Sequence, residues 1–163
     1  MLIFLDTEYT DPIDSGLISI ALITEDGSHH FYAELSDFKR DMCSAFVHAA
    51  VLPLLDAPPD QIMDRGALNR CLHTWFARLP EPGVIAYDDR TDVDLLLDAL
   101  GDTTPANLAG YHNLRPAMAS PMFNEAVCQY HAQPNQPWPH AWHDANALRA
   151  GWMAWQPSPK DPS

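Results

Sequence analysis

Leu2-Ile-Phe-Leu-Asp6-Thr-Glu8 sets four apolar residues directly against two acids. A short run that is apolar on both faces predicts a central strand of a sheet covered on both sides. Asp6 and Glu8 stand two apart at the end of that strand, so their side chains leave the same face. Two carboxylates at the rim of a buried strand repel one another and lose hydration. A bound divalent cation relieves both costs. The competing reading is a simple strand-end turn, for which Asp and Thr are suitable residues.

Moving outward, Leu17-Ile-Ser-Ile-Ala-Leu-Ile23 follows Asp14-Ser-Gly16 and stops at the turn dipeptide Asp26-Gly27. His30-Phe-Tyr-Ala-Glu34 comes next, giving a three-stranded meander. Residues 38–55 place Met42, Ala45, Phe46, Ala49, Ala50 and Leu54 close to a helical period, with Pro53 ending or kinking the helix. A second helix is predicted from Pro58 to about Leu79, with Ile62, Leu68, Leu72, Trp75 and Phe76 as its stripe. Residues 84–87 read as a fourth strand, 92–100 as a helix, 107–109 as a weak fifth strand, and 116–133 and 141–155 as helices. The predicted fold is α/β: a mixed sheet of about five strands, flanked by helices. Residues 1–155 read as one domain, and 156–163, without core-forming residues, as a disordered tail.

Further acids sit where elements change. Asp92 lies in Tyr87-Asp-Asp-Arg-Thr-Asp-Val-Asp94, at the start of a predicted helix and aimed back at the sheet edge. Its bland reading is a helix cap; Asp88, Asp89 and Asp94 read as solvated or capping. In Pro139-His-Ala-Trp-His-Asp144, His140 and Asp144 are four apart and share a helical face, whereas His143 points about a third of a turn away.

The order of these motifs resembles the DEDD 3′–5′ exonuclease superfamily, with its ribonuclease H-like fold. The small bacterial exonucleases are more similar still, through Phe4-Leu-Asp-Thr-Glu-Tyr-Thr-Asp11, Leu17 to Gly27, Phe31-Tyr-Ala-Glu-Leu-Ser-Asp37 and Ala145-Asn-Ala-Leu-Arg-Ala-Gly-Trp152. The resemblance implies that Asp6, Glu8, Asp92 and Asp144 hold two Mg²⁺ or Mn²⁺ ions, Asp6 bridging them. His140 would take the proton from the attacking water. It also implies a single-stranded RNA or DNA 3′ end as partner, RNA before DNA, and a homodimer. The family's base stands five residues before the last Asp, where this chain has Pro139; His140 is four before it. A module that keeps the metal site but not turnover is the alternative.

The charge bears on the same question. Nine Lys and Arg against 22 Asp and Glu give −13, which disfavours duplex coating and anionic membrane surfaces. A short single-stranded end gripped at a cation-loaded site fits that balance better than a long basic track. Arg90, Arg149 and Tyr9 flank the motifs as candidate phosphate or base contacts, and Trp142 and Trp152 read as core. Three cysteines without CxxC spacing predict reduced thiols, and no signal peptide or membrane span is read, so a cytoplasmic location is expected. An acidic interaction protein with merely solvated carboxylates is the third reading.

Overall fold

β1 (Leu2–Tyr9), β2 (Leu17–Thr24) and β3 (His30–Leu35) form the antiparallel meander, seen in a computed structural model that describes residues 1–155. β5 (Gly83–Tyr87) and β6 (Leu108–Asn113) extend the sheet parallel to β1, and the two-residue β4 (Ile62–Met63) pairs with β3. The order is β4-β3-β2-β1-β5-β6, a mixed six-stranded sheet with helices on both faces. At this level it agrees with a ribonuclease H-like α/β fold. β1 lies inside the sheet because it is apolar on both sides: Ile3, Phe4 and Leu5 are fully buried.

Alternation along β1 divides the core. Ile3 and Leu5 face α1 (Arg65–Ala77) and α2 (Arg90–Leu100), where Leu68, Leu72, Phe76, Val93 and Leu96 pack. Phe4 faces α3 (Arg115–Met118), α4 (Pro121–His131) and α5 (Ala141–Trp155), against Phe123, Ala141, Ala145 and Leu148. α4 and α5 approach closely because Gly151 has no side chain; a Cβ there would lie 2.6 Å from the Phe123 ring.

Several boundaries differ from the sequence reading. The sheet has six strands rather than five, and β6 runs to Asn113 rather than 109. Residues 38–55 are not one helix: a single turn at Arg40–Met42 is followed, after a break at 43–44, by a helical run over 45–54; Met42 and Phe46 of the expected stripe are exposed, while Val47 and Val51 bury against Ile18. Tertiary hydrogen bonding competes with a continuous helix here, as Ser44 N–H donates to Thr10 O at 2.8 Å. The second helix starts at Arg65, capped by Asp64, whose side chain accepts from Ala67 N–H; Ile62 instead pairs in β4. Residues 116–133 divide into α3 and α4. The expected tail at 156–163 lies outside the described residues. No helix among the described residues is long and apolar enough to cross a membrane.

Candidate metal centre

Asp6 and Glu8 leave the face of β1 that Phe4 shares, at the end where the strand runs out from under α5. α5 starts there, and Asp144 in its first turn points back at them. The His140 backbone N–H donates to Asp144 Oδ2 at 2.9 Å and fixes that carboxylate. Carboxylate oxygens of Asp6, Glu8 and Asp144 lie within 4.8 Å of one another.

Asp92 reaches the same point around the other side of the sheet. Asp89 caps α2 by accepting from Thr91 N–H, which leaves Asp92 in the first turn, 3% exposed and aimed at β1. Thr7, on the opposite face of β1 from Asp6, is hydrogen-bonded to it. Asp88 joins them: the parallel register sets Phe4 beside Ala86, and two residues on along each strand stand Asp6 and Asp88. Oxygens of Asp6, Asp88 and Asp92 form a second group within 4.8 Å. The fold thus gathers all four sequence-predicted carboxylates, and it adds Asp88, which the sequence reading left as a solvated or capping residue.

These acids have little counter-charge: Arg115 lies near enough to ease the ionisation of Asp88 but donates to its backbone carbonyl. Arg90 pairs with Asp94, Arg115 with Asp89, and Arg149 donates to the Glu25 carbonyl; among the described residues no Lys or Arg pairs with the five. Burial first, then repulsion by Asp144 and Asp92, pushes Glu8 up to about 8. Burial followed by repulsion from Asp92, Asp144 and Glu8 raises Asp6 well above the carboxylate range. Asp92 and Asp144 are raised too, chiefly by burial. Asp88 Oδ1 and Asp144 Oδ1 are buried with no hydrogen-bond partner among the described residues. An all-oxygen set of this kind, buried and short of positive charge, fits hard divalent cations.

His140 is placed otherwise than expected. Its side chain is 5% exposed, and Nε2 lies 3.3 Å from the Tyr32 hydroxyl and 3.6 Å from Asp56 Oδ1. The Tyr32 hydroxyl donates to Glu34 Oε1, which also accepts from Asp56 N–H and Ala57 N–H. The ring therefore belongs with Glu34 and Asp56, a further group that could hold a cation, and only its backbone reaches Asp144. An imidazole that does reach a site carboxylate is His131, which has no role in the sequence reading; its Nε2 lies 3.1 Å from Asp144 Oδ1. No local pattern marks His131, because it arrives on α4 through helix packing.

Two cavities flank the acids. One, of about 380 Å³, is walled by Tyr9, Pro12, Phe46 and Val47. The other, of about 440 Å³, lies toward α4 and α5. Asp6, Asp88 and Asp144 border both. No family model and no curated protein matches the chain.

Proposed function

We propose that the chain is a divalent-metal-dependent 3′–5′ exonuclease that acts on single-stranded nucleic acid and releases nucleoside 5′-monophosphates. One observation carries this reading: Asp6 belongs to both close-set oxygen groups, so one carboxylate is common to two adjacent cation positions. Glu8 and Asp144 would complete one position, and Asp88 and Asp92 the other. Two Mg²⁺ or Mn²⁺ ions, when bound, supply charge stabilisation to both the attacking and the leaving oxygen of a phosphoryl displacement.

The chain's own groups do the rest. Thr7 holds Asp92 in place, and the His140 backbone holds Asp144. Phe46, 63% exposed, and Tyr9 wall a cleft beside the acids in which a terminal base can stack. The proton of the attacking water goes to an imidazole at the start of α5, where the His140 and His143 rings stand 4.7 Å apart. The preference for RNA over DNA rests on the resemblance alone.

A second reading, a module that grips a 3′ end without turnover, is favoured by the engagement of His140 Nε2 with Tyr32 and Asp56. Incubation with 5′-labelled and 3′-labelled single strands, with and without Mn²⁺, separates the two. Metal-dependent stepwise shortening from the 3′ end supports the exonuclease, and metal-dependent retention of an intact strand supports the module. No metal effect on either overturns both.

A further inference from the structure

We infer that Glu34, Asp56 and His140 form a separate transition-metal site, one that takes Zn²⁺ in preference to Mg²⁺. The site shares no ligand with the five-acid centre and is independent of the exonuclease reading. Glu34 pairs across the sheet with Ser19, and Ser19 with Glu8, which sets Glu34 two strands, about 10 Å, from Glu8. An ion there would join β3, the segment that follows the helical run over 45–54, and the residue that precedes α5.

The three side chains are spaced for one ion. Each offers a ligand atom within 4.8 Å of the other two. His140 Nε2 and Asp56 Oδ1 lie 3.6 Å apart, beyond hydrogen-bond distance. A tetrahedral Zn²⁺ sets its nitrogen and oxygen ligands about 3.3–3.6 Å from one another. Glu34 Oε1 accepts from the Tyr32 hydroxyl and from the Asp56 and Ala57 backbone N–H groups. Those three bonds fix the carboxylate as outer partners fix a metal ligand, and none of them engages Oε2. The Asp56 side chain is 86% exposed, which gives an ion a way in and leaves its fourth position to water.

His140 is the independent sign that a cation belongs there. Its ring is buried, and a neutral imidazole carries one N–H and one lone pair. Nδ1 has no hydrogen-bond partner among the described residues. Nε2 faces only the Tyr32 oxygen and the Asp56 carboxylate. The single Tyr32 hydroxyl hydrogen goes to Glu34, and burial and the Glu34 charge push the phenol up, so that hydrogen stays in place. Whichever nitrogen holds the lone pair, no donor meets it, and a buried acceptor left unmade is costly. A cation at Nε2 satisfies the lone pair and offsets two carboxylates that no Lys or Arg pairs with among the described residues. One imidazole with two carboxylates suits Zn²⁺, whereas Mg²⁺ takes oxygen ligands.

Calorimetric titration of the full chain with Zn²⁺ in saturating Mg²⁺ tests the site without any assay of turnover. The native chain should show a Zn²⁺ step that Asp6→Asn retains and that Asp56→Ala weakens ~10-fold or more. Asp56→Ala keeps the backbone N–H that Glu34 accepts and changes only an exposed side chain, so it should fold, which circular dichroism checks. Should it not fold, Asp56→Asn, nearly the same in shape, takes its place with the same expected loss. No Zn²⁺ step in the native chain, a step of native affinity in the folded Asp56 variant, or a step that Asp6→Asn abolishes would each overturn the site.

Discussion

Thr7 holds Asp92 twice: its hydroxyl donates to Asp92 Oδ1 at 2.5 Å, and its backbone N–H donates to the same oxygen at 3.2 Å. The contact joins the two faces of the sheet at one point, since Thr7 faces α2 while Asp6 and Glu8 face α5. It also opposes the upward pull of burial on Asp92. Thr7→Val keeps the shape and removes the hydroxyl. Stability should fall by about 1–2 kcal/mol, and Mn²⁺ titration should show one of two sites weakened ~10–100-fold. Two sites of native affinity would mean that packing alone positions Asp92.

Asp6→Asn separates metal binding from folding. Asp6 is common to both oxygen groups, so the variant should lose turnover and weaken both cation positions. Without metal, however, it removes a carboxyl whose ionisation burial and the surrounding acids oppose, and the metal-free variant should melt higher than the native chain by ~3 °C or more. Scanning calorimetry in chelator measures this. A lower melting temperature would show that Asp6 stabilises the fold through its charge.

How much of this was legible follows from the range of each signal. β1 and its two acids were readable because an apolar run ending in Asp-Thr-Glu is a local pattern. α5 was placed to the residue, 141–155, because its apolar period is unbroken and Pro139 precedes it. Asp88 was missed because an acid just before a helix usually caps it, as Asp89 next door does. The parallel pairing of Phe4 with Ala86 is the signal that would have found it, and pairing is a property of two distant segments. His140 failed differently. Four-residue spacing fixes the helical face but not the ring, and Tyr32 and Asp56 on other elements decide where Nε2 points.

The two imidazoles at the start of α5 should respond differently to truncation. His140 stacks on Tyr32 with ring centroids 5.3 Å apart and is buried. His140→Ala should therefore act on the fold, lowering the melting temperature by ~5–10 °C. His143 is only half-buried, with Nδ1 3.2 Å from the Tyr130 hydroxyl. His143→Ala should leave melting nearly unchanged and slow strand shortening ~10²-fold or more at little cost in affinity. The opposite division of effects would return the proton to His140, and no rate effect from either would favour the non-catalytic module.

The stability of the metal-free protein should fall as pH rises across neutrality. Unfolded, Glu8 titrates near its ordinary value of 4.5; folded, burial and the neighbouring Asp144 and Asp92 push it up to about 8. Asp6, Asp92 and Asp144 are raised as well. Between those limits the folded state binds more protons than the unfolded state, so stability declines with pH; below the unfolded value both states are protonated and the effect vanishes. His131 and His143, whose charged forms burial disfavours, run the other way just below the ordinary imidazole range, two groups against the four acids, and Asp26, held down by hydrogen bonds from Thr24 and Ser28, acts only below the ordinary carboxylate range, outside this window. From pH 5 to pH 8 in chelator the melting temperature should drop by ~5 °C or more. Mn²⁺ should reverse the drop, and by more at pH 8 than at pH 5, because protons compete with the cation for the same oxygens. A melting temperature that rises with pH in chelator would mean that the five acids are not crowded together in solution, and the metal centre would fall with them.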